Sequence, residues 1–224
     1  MQDEEREVLS VPDATSFEWM LLKSKDFIKL MTYYRSAMMQ IETKLRVLSE
    51  YYALEQDRNP IQTIKTRLKK PASIRNKLER FGRKMHVEEI EGFLHDVAGV
   101  RVICSFVEDV YLLADALLSQ DDVTLVEKKD YIGNPKKNGY RSLHLIVSIP
   151  IFLESEKRQI RVEIQLRTIA MDIWASLEHQ MNYKKEDFPK DLSAELYECA
   201  ELAAALDERM NAMNKCIRER NERN

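Results

Sequence analysis

The 224-residue chain contains only five glycines, six prolines and three cysteines. So few turn-forming residues predict that loops are few and that most of the chain is helix or strand. Cys104, Cys199 and Cys216 are odd in number and widely spaced. This excludes a disulfide framework and a cysteine metal cluster, and it predicts a reducing compartment.

The sequence also lacks long apolar runs and a strong net charge. No run approaches the roughly 20 residues that span a bilayer, and residues 1–10 carry four acids and one arginine, unlike a secretory signal. The 35 basic and 38 acidic residues give a formal net charge of -3. We therefore expect a cytoplasmic protein that binds neither a membrane nor nucleic acid stably, so any basic site is local.

Apolar residues recur in alternating steps of four and three between residues 27 and 52, which is the pattern of one helix stripe. Thr15 can cap the start of this helix while Glu18 reaches back to the Thr15 amide. The helix should end before Asn59-Pro60, because proline disfavours helix for the preceding residue.

A second stripe of the same kind runs through residues 192–217. The simpler interpretation is that both stripes pack on the core of the domain itself. The alternative is that the period, close to a heptad, allows part of this surface to meet another subunit.

Between the stripes the apolar period changes to two, which is typical of strands, in residues 97–106, 142–149 and 160–167. Residues 87–95 and 109–119 have helical spacing instead. The interleaving predicts an α/β (α+β) fold with a mixed β-sheet core. We divide this single domain into an acidic tail (1–14), an N-terminal helix (15–58), a core (59–183) and a C-terminal helical extension (184–224).

A local concentration of positive charge lies between Lys65 and Lys84, where nine basic residues face a single acid. Such a run is either a solvated face or a phosphate site. Ser73 and Lys77 would share one helical face near a helix N-terminus, which favours phosphate. The glycines of a P-loop are absent.

Two acids, Asp96 and Glu163, stand at or on predicted strands. A carboxylate in the centre of a sheet is unfavourable unless it binds a cation or proton donors. The pair could hold a Mg2+ that bridges nucleotide phosphates, or it could form salt bridges with neighbouring arginines. The spacing leaves both interpretations open.

The only long predicted loop, residues 128–140, is rich in turn-forming residues and lysines. Tyr140, at its edge, could stack on a nucleobase or cover the core. The His95-Asp96 dipeptide also occurs in metal phosphohydrolases, but the remaining histidines do not repeat the spacing that such a site needs.

The stretch from Pro60 to Tyr183 resembles the synthetase domain of the RelA/SpoT alarmone enzymes, and the small stand-alone synthetases match it best. The loop ending Gly-Tyr-Arg-Ser-Leu-His is the most specific part of the match. The segments that carry the resemblance are Arg67–Lys77, Asp96–Arg101, Lys129–His144, Glu163–Thr168 and Trp174–His179.

This resemblance implies a nucleotidyltransferase-like sheet and a reaction in which ATP gives its pyrophosphate to the 3′-hydroxyl of GDP or GTP, leaving AMP. It also implies Mg2+ as cofactor and a homotetramer. The long family members carry a hydrolase domain for which this chain lacks the length, so we expect synthesis without degradation.

The resemblance further implies a role for each site residue. Asp96 and Glu163 would bind Mg2+ and act in catalysis, with Glu163 as the general base. The ATP site would comprise Arg67, Lys69, Ser73, Lys77 and Arg101, and the GDP or GTP site would comprise Lys136, Asn138, Tyr140, His144 and Gln165.

Two other functions remain open on the sequence. One is a nucleotide-binding regulator without activity, which the presence of both acids and the lysines disfavours. The other is a toxic relative that pyrophosphorylates adenine nucleotides or the 3′ end of tRNA. The basic run could serve tRNA, whereas the Tyr140 loop favours guanine.

Overall fold

The chain alternates helices and strands around one sheet in a computed structural model that describes residues 24–56, 58–154, 156–182 and 189–221. The elements, in chain order, are α1 (Lys25–Gln56), β1 (Ile61–Leu68), α2 (Pro71–Arg80), α3 (Val87–Phe93), β2 (Ala98–Cys104), α4 (Val107–Leu118), β3 (Thr124–Asp130), β4 (Leu143–Leu153), β5 (Glu156–Thr168), α5 (Ile169–Asn182) and α6 (Lys190–Asn221).

The five strands form one mixed sheet in the order β1-β2-β5-β4-β3. Only the central pair, β2 and β5, runs parallel, and the other three pairs are antiparallel. The mixed sheet flanked by helices that the sequence predicts is confirmed. Because β2 and β5 are parallel neighbours, the beginning of β2 lies beside the middle of β5, although the two are distant in sequence.

The first apolar stripe packs on the core, as predicted. Leu30, Ile41 and Leu45 on α1 are fully buried and belong to the same apolar cluster as the sheet. Ser24 Oγ accepts a hydrogen bond from the Phe27 amide at the start of the described helix. The predicted capping residue Thr15 lies outside the described residues, whereas the predicted end before residues 59–60 is confirmed.

The second stripe does not pack on the core, so that interpretation is wrong for α6. Leu206, Met213 and Ile217 are each more than half exposed. Among the described side chains of α6, only Ala200 and Asp207 are buried. The helix therefore contacts the rest of the chain along a narrow line and leaves its apolar stripe uncovered. None of the helices within the described ranges has the length and apolarity needed to cross a bilayer.

The sequence did not indicate strands β1 and β3 or helix α5. The predicted loop is wrong at residues 128–130, which form the end of β3. Both strands lie at the sheet edges, and most of their side chains are exposed. An edge strand with polar residues on both faces produces no alternation of apolar and polar residues. The period-two pattern therefore did not identify β1 and β3 as strands.

Because α1 is buried along one face and α6 is largely exposed, a leucine-to-alanine substitution should affect stability differently in the two helices. Leu45→Ala removes a fully buried side chain, so the free energy of unfolding should fall by about 2–5 kcal/mol. Leu202→Ala, at a position 70% exposed, should change it by less than about 0.5 kcal/mol. Urea denaturation of both variants measures this difference, and equal losses would contradict the difference in burial between the two positions.

Candidate active site

A row of polar residues crosses all five strands at one level of the sheet. Strand register places these residues directly opposite one another, and paired residues project from the same face. From one edge to the other, the row consists of Lys65, Arg101, Gln165, His144 and Lys129.

The next row along the same face contains Arg67, Gly99 and Glu163. Gly99 stands between the other two, and because it has no side chain, the face of the sheet is uncovered at this position. A Cβ there would meet nothing nearer than the Arg67 carbonyl oxygen, at 3.6 Å, and would project into the space above the sheet. This space is a cleft of about 430 Å3 lined by Lys65, Thr66, Arg67, Asp96, Gly99, Val100, Arg101, Glu163 and Gln165.

Asp96 enters this cleft from the segment that joins α3 to β2. Its Oδ2 accepts hydrogen bonds from Lys69 Nζ at 2.6 Å and Lys77 Nζ at 2.8 Å. Burial raises the pKa of Asp96, but the two ammonium groups outweigh this effect and hold the pKa below its usual range. Oδ1 is buried and has no hydrogen-bond partner among the described residues. Asp96 is therefore an ionised carboxylate with one oxygen still available.

Glu163 lies on β5 in the same cleft. Burial and the nearby charge of Asp96 raise its pKa, whereas His144 and Gln165 lower it, and the net pKa is below the usual range. Gln165 Nε2 donates to Oε2 at 3.2 Å, and His144 Nδ1 lies 3.4 Å from Oε1. Asp96 thus lies close to Glu163, and because the pKa of each acid is below its usual range, both are ionised at neutral pH.

The basic residues predicted for ATP lie around this pair. Arg67 and Arg101 line the cleft, and Lys69 and Lys77 bind Asp96. Ser73 lies in the first turn of α2, one turn before Lys77, and no side chain caps the start of that helix. The amides of this turn are therefore available to an anion.

The predicted guanosine residue Tyr140 lies beside the acids, in a hydrogen-bonded chain. Its hydroxyl oxygen is 2.8 Å from His144 Nε2, and it accepts a hydrogen bond from Arg167 Nη2 at 2.5 Å. With the imidazole proton on Nδ1, His144 then donates to Glu163. The chain of contacts connects the loop to the cleft.

The rest of the loop surrounds Tyr140. Lys136 Nζ lies 4.7 Å from the ring centre of Tyr131 and 4.8 Å from that of Tyr140. Asn138 Oδ1 accepts a hydrogen bond from the Tyr140 amide, and Asp130 accepts from the amides of residues 132 and 133. Contacts thus connect Lys136, Asn138, Tyr140, His144 and Gln165 to one another or to Glu163, and Arg67, Lys69, Lys77 and Arg101 to the cleft, whereas Ser73 is placed only by its position on α2.

Sequence reasoning assigned no role to Arg167. This residue is 4% exposed and contacts Tyr140, Asp172 and Gln165, so it joins the loop to the Arg101 side of the cleft. Its burial has no clear signal in the sequence, because an arginine near the end of a strand is usually solvated.

Residues 66–187 match the family described as "Region found in RelA / SpoT proteins". The chain belongs to this family. GTP pyrophosphokinase YwaC of Bacillus subtilis is 45% identical over 192 residues, covering 85% of this chain and 91% of the relative. The resemblance seen in the sequence motifs is therefore confirmed.

Solved structures of the same family share the fold. Small alarmone synthetase 1 from Bacillus subtilis bound to its product pppGpp superposes with a TM-score of 0.77 at 36% identity, covering 86% of this chain and 98% of that chain. The same synthetase bound to AMPCPP gives a TM-score of 0.74 at 34% identity, covering 88% and 100%. The predicted nucleotidyltransferase-like sheet is confirmed.

The Arg167 contact predicts a stability change in Tyr140→Phe, which keeps the ring and removes the hydroxyl. Because the buried guanidinium loses an acceptor, the free energy of unfolding should fall by about 1–3 kcal/mol. Tyr197→Phe, at a 43% exposed tyrosine on α6, is the matched control and should leave it nearly unchanged. Denaturant unfolding compares the two, and equal stability would argue against the hydrogen bond.

Proposed function

We propose that this chain synthesises alarmones through Asp96 and Glu163, moving the pyrophosphate of ATP to the 3′-hydroxyl of GDP or GTP and releasing AMP. The observation that carries the proposal is the pair of ionised acids in one cleft, with basic groups on one side and the Tyr140 loop on the other. The relatives named GTP pyrophosphokinases, and the synthetase structures with pppGpp and AMPCPP, support it.

ATP would lie on the β1, β2 and α2 side of the cleft. Arg67 and Arg101 stand in successive rows of one sheet face, where their planar guanidinium groups can stack on adenine. The uncapped start of α2 offers amides and Ser73 to the phosphates. Lys69 and Lys77 would hold phosphate oxygens while they keep Asp96 ionised.

Mg2+ fits the acid pair. Asp96 Oδ1 is buried without a partner among the described residues, and Asp96 lies close enough to Glu163 to raise the pKa of its carboxyl. No cluster of three or more possible protein ligands occurs in the described parts of the chain, so phosphates and water would complete the coordination. The cation would neutralise phosphate charge during transfer.

The acceptor would lie on the β5, β4 and loop side. Guanine would stack on Tyr140, next to Asn138, while Lys136 would meet the phosphates. His144 and Gln165, in one row beside Glu163, would orient the ribose and its phosphates. The ribose 3′-hydroxyl would then face the carboxylate of Glu163.

The reaction follows from this arrangement. Glu163, ionised at neutral pH, accepts the proton of the 3′-hydroxyl as the ribose oxygen attacks the β-phosphorus of ATP. The bond between the β-phosphorus and the oxygen bridging it to the α-phosphate breaks, and AMP leaves with that oxygen. Lys69, Lys77 and the α2 amides hold the phosphates in line, so positioning and charge neutralisation supply most of the rate.

Removal of the base should stop transfer without abolishing binding. In Glu163→Gln the amide cannot accept the proton, so kcat should fall by about 10²-fold or more, while GDP and ATP-analogue affinities stay similar. AMP release and equilibrium binding measure the two effects. Glu50→Gln, an exposed position on α1, is the matched control. Substantial turnover by Glu163→Gln would place the base elsewhere.

A comparison of acceptors tests the substrate class. The unsubstituted chain is incubated with labelled ATP and Mg2+, together with GDP, GTP, AMP or tRNA as the acceptor. We expect AMP release and labelled product with GDP and GTP. Transfer to AMP or tRNA alone would support the toxic relative, and binding without transfer to any acceptor would support the regulator.

We also propose that the chain assembles as a homotetramer through the uncovered apolar surface of α5 and α6. Between these helices lies a groove of about 430 Å3 with a mainly apolar lining that includes Ile173, Leu177, Leu206 and Met210, all more than two fifths exposed. A contiguous exposed apolar surface of this kind favours a protein contact.

A charge in this groove should separate the subunits. Leu206→Asp places a carboxylate among apolar side chains, and its burial in an interface is strongly unfavourable. Light scattering should give a smaller mass than for the unsubstituted chain. Leu54→Asp, at an exposed leucine on α1, should leave the mass unchanged. A full-size assembly in Leu206→Asp would locate the contact elsewhere.

A further inference from the structure

The C-terminal helix α6 lies directly against the loop that carries Tyr140. Gly139 adopts a left-handed backbone conformation with φ of 88°, and it is buried under the helix. A Cβ at this position would lie 2.5 Å from Ala200 Cβ and 3.4 Å from a ring carbon of Tyr197. The contact therefore requires a glycine on the loop and a small residue on the helix.

A second contact fixes the helix beside the aromatic ring of Tyr140. Trp174, Ala175 and Ala200 form a small buried cluster, separate from the main core, on which Tyr140 and Leu196 pack. The Trp174 indole N–H donates to the Leu196 carbonyl oxygen at 2.9 Å. The ring proposed to stack on guanine thus rests partly on α5 and α6 and not on the sheet alone.

Polar contacts also fix α6 in its position beside the loop. Arg141, the residue after Tyr140, pairs with Glu201 at 3.0 Å. Thr168, at the end of β5, donates from its hydroxyl to Asp207 at 2.6 Å, and both side chains are buried. Both contacts follow Ala200 along α6 and the Trp174–Leu196 hydrogen bond precedes it, so the helix is anchored where it meets the loop.

From this geometry we propose that Ala200 is a positioning residue for the guanosine acceptor. It does not touch the nucleotide; its methyl group sets how closely the Gly139 backbone approaches α6, and this sets the position of the Tyr140 ring. The ATP side, built from β1, β2 and α2, has no part in this contact. The inference rests on the proposed function, because it assigns the Tyr140 loop to the acceptor.

The test enlarges the side chain at the contact. Ala200→Leu should push the loop away from α6 and raise KM for GDP and GTP about tenfold, the scale of a lost base-stacking contact. KM for ATP and kcat should change by less than a factor of about three, since the donor side and Glu163 are untouched. Ala205→Leu, on an exposed face of the same helix, is the matched control and should match the unsubstituted chain.

Hydrogen exchange provides a readout that does not depend on activity. Within the loop, the Gly139 amide donates to the Lys136 carbonyl and the Lys136 amide donates to the Tyr140 carbonyl. Both amides should exchange faster in Ala200→Leu than in Ala205→Leu, with an intermediate rate in the milder Ala200→Ser. Equal exchange in all three variants would overturn the inference, whatever the enzyme does.

The kinetic outcomes separate the two proposals. If the unsubstituted chain transfers pyrophosphate to neither GDP nor GTP, the proposed function fails, and exchange still decides whether α6 holds the loop. If transfer occurs but Ala200→Leu changes neither acceptor KM nor exchange, only the inference fails. An equal rise of KM for ATP and GDP would indicate general damage and would also overturn it.

Discussion

Two carboxylates of like charge share one cleft, and the rest of the site is arranged so that both remain ionised. Asp96 raises the pKa of Glu163, and burial raises the pKa of both. Lys69 and Lys77 offset it at Asp96, and His144 and Gln165 offset it at Glu163. The neighbouring groups are therefore part of the function, because a protonated acid could neither bind a cation nor accept a proton.

The sheet brings this arrangement together, and the sequence predicted most of the sheet but not its edges. Central strands such as β5 alternate buried and half-buried residues, so they carry a clear signal. The edge strands β1 and β3 expose most of their side chains, and polarity on both faces conceals them. For α6 the apolar stripe predicted a helix correctly. The stripe does not indicate whether the core of the same domain or another subunit covers it.

The sequence motifs supplied candidate residues for the site but not their geometry. The motifs supplied Asp96, Glu163 and Tyr140. The proximity of the two acids depends on the parallel register of β2 and β5, and that of Tyr140 on the pairing of β4 with β5, and no local pattern contains either. Arg167 shows most clearly what sequence patterns could not predict. Its charge is buried because Tyr140, Asp172 and Gln165 surround it, and these partners come from different parts of the fold.

The proposed donor and acceptor halves of the site are built differently. The donor half stands on β1 and β2, whose residues are fixed by the sheet register, and on the start of α2. The acceptor half depends on a loop, which Asp130 holds at one end and α6 holds at the other. Loops are less constrained than strands, so such a segment needs supports of its own to present an aromatic ring. The C-terminal helix thus supports the proposed acceptor site structurally, although it carries none of the motif residues.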